Sequence, residues 1–160
     1  MTNTTVAHNT VVVDESKQRT HIAGLPRHID DAGFIKLIDV EAPRVYPQCE
    51  RYRRTLAMIR IDEEHSYVVD LFRVRGGRDH RFSFHAMGPE AQTQGLHPVA
   101  QEGGSYAGAD TPWGADPEQY EKPTRYRGSG FHWLNRVERD ADPPAQFSVD
   151  WKIIDPWEVL

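Results

Sequence analysis

The chain is poor in cysteine and lysine and contains no long apolar run. A single cysteine, Cys49, excludes an internal disulfide and a cysteine-built zinc site. Any metal would need His, Asp or Glu ligands, and eight histidines are present. No apolar stretch approaches the roughly 20 residues of a membrane-spanning helix. The opening residues MTNTTVAHNTVVVDES lack the basic segment and apolar core of a secretory leader. No stretch shows a convincing helical period, which leaves little room for amphipathic helices. Lysine is scarce because arginine outnumbers it 15 to 4.

What is present reads as a polar globular chain. Its 160 residues suit one domain with a sizeable core. Charged residues make up 27%, and the formal charge of −5 argues against nucleic acid or an acidic membrane as the main partner. Arginines are concentrated nonetheless: Arg51, Arg53, Arg54, Arg73, Arg75, Arg78 and Arg81 fall within positions 51–81. A guanidinium fork suits carboxylate or sulfate. The same residues would equally suit solvated strand faces and hairpin ends.

Alternation with period two dominates. Strands are expected at 9–14, 33–42, 52–62, 66–75, 79–86, 129–138 and 145–154, each rich in β-branched or aromatic residues and bounded by Gly, Pro, Asp or Asn. The expected fold is all-β, an antiparallel β-sandwich of stacked sheets in a single domain over 1–160. A long irregular loop over 98–128 interrupts it. That loop carries Tyr106, Trp113, Tyr120 and Tyr126, flat rings that could face a sugar or pin the loop to a sheet. The closing WKIIDPWEVL enters a further strand and stops, as though cut from something larger.

Local geometry is clearest at YVVDLFRVRGGRDHRFSFHA. Gly76-Gly77 suits a two-residue hairpin turn. That turn would set Arg73 opposite His80, Leu71 opposite Phe82 and Val69 opposite Phe84. Asp70 would lie opposite Ser83, with Arg81 or His85 as its charge partner.

Three ordered segments, AHNTVVVDE, YPQCERYRRTLAMIRID and YVVDLFRVRGGRDHRFSFH, resemble the C-terminal β-domain of heparinase II/III-like polysaccharide lyases. GSGFHWLNRV fits the same family more loosely. The resemblance implies a larger parent protein in which an N-terminal α/α toroid precedes the β-sandwich, and this chain holds only the sandwich. It implies β-elimination on a uronic acid-containing polysaccharide bound between the two, in the periplasm or outside the cell. Such a reaction needs the carboxylate neutralised, a base for the C5 proton and an acid for the leaving oxygen. The resemblance places His8 and Asn9 at the HNT segment as site residues and Tyr46 as a cleft tyrosine. Arg53, Arg54 and Trp113 are the substrate-binding candidates. It also implies a metal in several members, which leaves zinc as the candidate here. His8 and Asp39 would be its ligands, with Tyr52 standing where some relatives have histidine. His8 remains open between this role and a satisfied turn histidine. Without its toroid the domain is expected to be inactive. The alternative is a non-catalytic carbohydrate-binding or scaffold sandwich. A metal-dependent double-stranded β-helix enzyme lacks its histidine and glutamate spacing, and no G-x-S-x-G elbow is present for a serine hydrolase.

Overall fold

Every long element of the computed structural model, which describes residues 4–20, 24–86, 88, 90–115 and 128–152, is a β-strand. In chain order the strands are β1 (Thr10–Val13), β2 (Leu25–Asp31), β3 (Ile35–Glu41), β4 (Cys49–Arg60), β5 (Ser66–Gly76), β6 (His80–Ser83), β7 (Ala91–Gln94), β8 (Val99–Ala100), β9 (Glu138–Arg139) and β10 (Ser148–Trp151). The chain divides into two compact units, Val11–Phe82 and Met1–Thr10 with Ser83–Leu160.

The Val11–Phe82 unit is built on an antiparallel sheet in the order β2-β3-β4-β5. The β4–β5 hairpin is closed by Asp62, whose carboxylate accepts the main-chain N–H groups of Glu64 and His65 at 2.9 and 2.7 Å. An aspartate turned onto its own following backbone stabilises such a loop. The register then runs from Arg60 opposite Ser66 to Cys49 opposite Gly76. Period two sends Tyr52, Phe72 and Val74 to one face. There they pack with Val11, Val13, Val45 and Tyr46. The Tyr52 ring lies 5.4 Å from Tyr46 and 5.0 Å from Phe72. β1 and β6 pair as a second, two-stranded sheet. Its Val11 and Val13 enter this core, and Phe82 approaches Phe72 at 6.4 Å.

The expected hairpin through Gly76-Gly77 is corrected by this topology. β5 pairs with β4, whereas β6 pairs with β1. Asp14 explains the diversion: its carboxylate accepts the N–H groups of Arg78 and Asp79 at 2.7 and 3.0 Å and ties the turn to the end of β1. Those two bonds hold the Asp14 carboxyl below the usual carboxylate range. Both glycines are needed where the chain turns. A Cβ on Gly76 would meet the Gln48 carbonyl at 2.2 Å, and one on Gly77 would meet Val13 Cγ1 at 2.5 Å. Asp70 accordingly pairs with Arg54, while Arg81 pairs with Glu15 and Asp79. Towards the other end of the sheet, apolar side chains are exposed on both faces, Ile29, Ile38, Met58 and Val68 on one and Tyr67, Val69 and Leu71 on the other.

The second unit contains two short ladders, β7–β10 and β8–β9. Residues 129–138, expected as a strand, form one only at β9. Gly130 adopts φ +92°, and a 3-10 turn follows over Phe131–Trp133. A Cβ on Gly130 would lie 2.7 Å from Thr4, so the absence of a side chain lets the N-terminal segment approach. That segment forms its own 3-10 turn over Thr5–Ala7, and the Val6 N–H donates to the Ser129 carbonyl. The 98–128 loop contains β8 and a Ser105–Gly108 bridge. Tyr106 packs edge-on to Phe131 at 4.9 Å, which pins this part of the loop. Residues 116–127, with Tyr120 and Tyr126, and the expected strand beyond position 152 lie outside the described residues.

Candidate functional site

The second unit gathers the N-terminal AHN segment, His85 and the GSGFHW segment. Asn9 clamps the backbone of His85: its Oδ1 accepts the His85 N–H at 2.6 Å and its Nδ2 donates to the His85 carbonyl at 3.3 Å. The His85 ring Nε2 lies 2.7 Å from the Val6 carbonyl, to which it can donate. Val6 in turn donates to Ser129, and His132 is buried two residues beyond Gly130. His8 sits at the end of the Thr5–Ala7 turn, its N–H bonded to the Thr5 carbonyl, with the residue exposed. The two expected site residues therefore differ. Asn9 is a structural clamp, and His8 is the solvent-facing group beside it.

Trp113 extends this arrangement through the loop. The residue is 56% exposed, yet its ring is held. The indole N–H donates to the Trp133 carbonyl at 3.0 Å, and the two rings meet edge-to-face at 5.3 Å. Trp133 also lies 5.0 Å from the His132 ring, and the Gly114 N–H bonds the His132 carbonyl. An exposed ring held from behind is a platform on which a sugar face can stack. Arg139 caps the Tyr106 ring at 4.5 Å and donates to the Tyr106 carbonyl.

The remaining expected residues lie in the Val11–Phe82 unit and have structural partners. Tyr46 is 1% exposed, and its hydroxyl faces the carbonyls of Val11 and Ser16. It is a core tyrosine rather than a cleft base. Arg53 and Arg54 are successive residues of β4 and so point to opposite faces. Arg53 grips the Asp39 carboxylate through both Nε and a terminal nitrogen. Arg54 makes a bidentate pair with Asp70, Nε to Oδ1 at 3.0 Å and the terminal nitrogen to Oδ2 at 2.8 Å. The two arginines do not converge on one ligand. An open pocket of about 310 Å³ is lined by Val11, Asp70, Phe72, Val74, His80 and Phe82, but its carboxylate is already held by Arg54.

The residues proposed for zinc do not fit the ion. The Arg53 guanidinium holds the Asp39 carboxyl down to about 2, well below its ordinary value, and occupies both oxygens. The Tyr52 hydroxyl donates to Val11 at 2.7 Å and accepts from Gln18 at 2.8 Å. Among the described residues, no group of three or more His, Cys, Asp or Glu side chains could hold a metal ion. Cys49 is buried, which pushes its thiol up and away from reactivity.

No family model, curated protein or solved structure matches the chain.

Sequence reasoning missed Trp133 as the support of Trp113 because 129–138 looked like a strand. The signal was Gly130 inside an otherwise strand-like run, a position that marks close backbone approach. It also missed the Asn9–His85 clamp, which joins residues 76 positions apart.

Proposed function

We propose that the chain engages an acidic polysaccharide as the β-domain of a heparinase II/III-like lyase, without supplying a complete elimination apparatus by itself. The observation that carries this reading is the second unit's exposed Trp113, buttressed by Trp133, in the same unit as the exposed His8. The ring offers a stacking surface, and the imidazole offers ring nitrogens that can donate or accept a hydrogen bond. The commitments of Tyr46, Arg53 and Arg54 leave the carboxylate neutraliser and the tyrosine base to be supplied from elsewhere. On this reading an α/α toroid contributes them, and the parent protein acts in the periplasm or outside the cell.

A non-catalytic carbohydrate-binding module is the second reading, favoured by the same tryptophan pair. The two part on His8. In the protein joined to its toroid, His8→Ala abolishes formation of the ultraviolet-absorbing unsaturated uronate if the lyase reading holds. Unchanged turnover removes His8 from the mechanism. Both readings require the 160-residue chain to bind a uronate polymer such as alginate or a heparan-type glycosaminoglycan. Turnover by this chain alone would overturn them.

A further inference from the structure

The β4–β5 hairpin sets four arginines on one face. Arg51 lies directly opposite Arg75, and Arg53 directly opposite Arg73. Residues paired in this way share a face, and like charges so placed repel. Adjacent strands are about 4.8 Å apart, and alternate residues on a strand are about 6.8 Å apart. The four side chains are therefore rooted at the corners of a small rectangle.

Only part of this charge is met within the unit. Arg53 has the buried Asp39. Arg75 pairs with Glu50, but both side chains are largely exposed, so the attraction is screened and weak. Arg73 donates to a neutral hydroxyl, that of Thr55, at 2.9 Å. Among the described residues, no carboxylate lies within ion-pair distance of Arg51 or Arg73. Both are exposed. The opposite face of the same strands packs in the apolar core, so Arg51 and Arg73 lie outside it.

We propose that the face centred on Arg51, Arg73 and Arg75 is a binding surface for the carboxylate or sulfate groups of an acidic polysaccharide. The proposal rests on the reading above for its partner and adds a second surface, in the other unit, to the Trp113 platform. One feature favours a glycan over a nucleic acid. Along β5 the same face continues from Arg75 and Arg73 into exposed Leu71, Val69 and Tyr67. An acidic sugar offers anionic groups beside an apolar C–H face and matches that sequence of side chains.

Affinity electrophoresis of the whole chain at low ionic strength tests this, using alginate, dextran sulfate and single-stranded DNA in separate gels. Arg51→Gln/Arg73→Gln should weaken retention by an acidic polysaccharide about tenfold or more, because each lost arginine removes charge-assisted hydrogen bonds. Lys36→Gln/Arg60→Gln removes the same charge from the opposite face and should leave retention within about twofold. Arg51→Lys/Arg73→Lys keeps the charge and loses the fork; it should fall between the two and serves if the Gln variant does not fold. Equal loss in both Gln variants, or no loss in the first, overturns the proposal. So does tighter retention by DNA than by either polysaccharide. Alginate binding that survives Arg51→Gln/Arg73→Gln but is lost in Trp113→Ala overturns this surface while sparing the proposed function. Binding of dextran sulfate through Arg51 and Arg73, with no binding of any uronate polymer, supports the surface and overturns the uronate reading.

Discussion

Asn9 and His85 are joined through the His85 main chain, N–H to Oδ1 at 2.6 Å and carbonyl to Nδ2 at 3.3 Å. One asparagine side chain thus does what a strand neighbour would do, at a corner where a regular ladder is replaced by a 3-10 turn. Asn9→Ala removes both bonds and should lower stability by about 1–3 kcal/mol. Asn9→Asp keeps the acceptor and should lose less. Urea midpoints of the two variants check the order; equal loss would mean that the Nδ2 bond carries the clamp.

Asp39 makes a pH prediction. Its folded pKa of about 2 lies below the value of about 3.9 for an unfolded aspartate. The ionised carboxylate therefore stabilises the fold above about pH 4, and that contribution is lost as the pH falls towards about 2. Asp39→Asn should be less stable at neutral pH and should show a flatter decline over this window. The measurement is the denaturation midpoint of both proteins between pH 5 and 2. Parallel curves would show that Arg53 does not set the acid sensitivity.

Tyr52 and Tyr46 predict a graded pair. Among the described residues, the Tyr52 hydroxyl meets Val11 and Gln18 near ideal distance, whereas the carbonyls facing Tyr46 lie at 3.3 and 3.5 Å. Tyr52→Phe removes the 2.7 Å bond to the buried Val11 carbonyl and the bond from Gln18, and should cost about 1–3 kcal/mol. Tyr46→Phe should cost less, and it should leave polysaccharide binding unchanged because the ring lies in the core. A binding defect in a stably folded Tyr46→Phe protein would return that residue to the site.

Gly76 predicts a severe local effect. Its φ is +93°, and an added Cβ would sit 2.2 Å from a main-chain carbonyl that cannot swing aside. Gly76→Ala should destabilise by more than the roughly 1 kcal/mol of glycine's conformational freedom alone. Thermal unfolding measures it, with Gly33→Ala as comparison: Gly33 has similar φ but open space around it. Equal losses would assign the whole effect to φ.

The strands were readable where β-branched and aromatic residues are dense, as in β3, β4 and β5, even though both faces of that sheet carry apolar side chains. β2 carries Pro26, Arg27, His28, Asp30 and Asp31, is exposed throughout, and has no alternation to read. Pairing was far less legible than strand position. Gly76-Gly77 has the composition of a hairpin turn, and Asp14, more than 60 residues upstream of Arg78, ties that turn to the end of β1. The site was legible in the same uneven way. His8 and Trp113 are exposed, as a functional reading asks. Arg53, Arg54 and Asp39 have the right chemistry for a site, but cross-strand partners claim them, and Tyr46 is buried in the core. Which carboxylate meets which guanidinium depends on register, which local composition does not specify.

The most direct test of the central claim is a titration of the intact chain with alginate, followed by tryptophan fluorescence, beside Trp113→Ala. The account predicts a saturable change in the intact protein that is absent in the variant, with no rise in unsaturated-uronate absorbance. An unresponsive intact chain, or an equal response from Trp113→Ala, would contradict it.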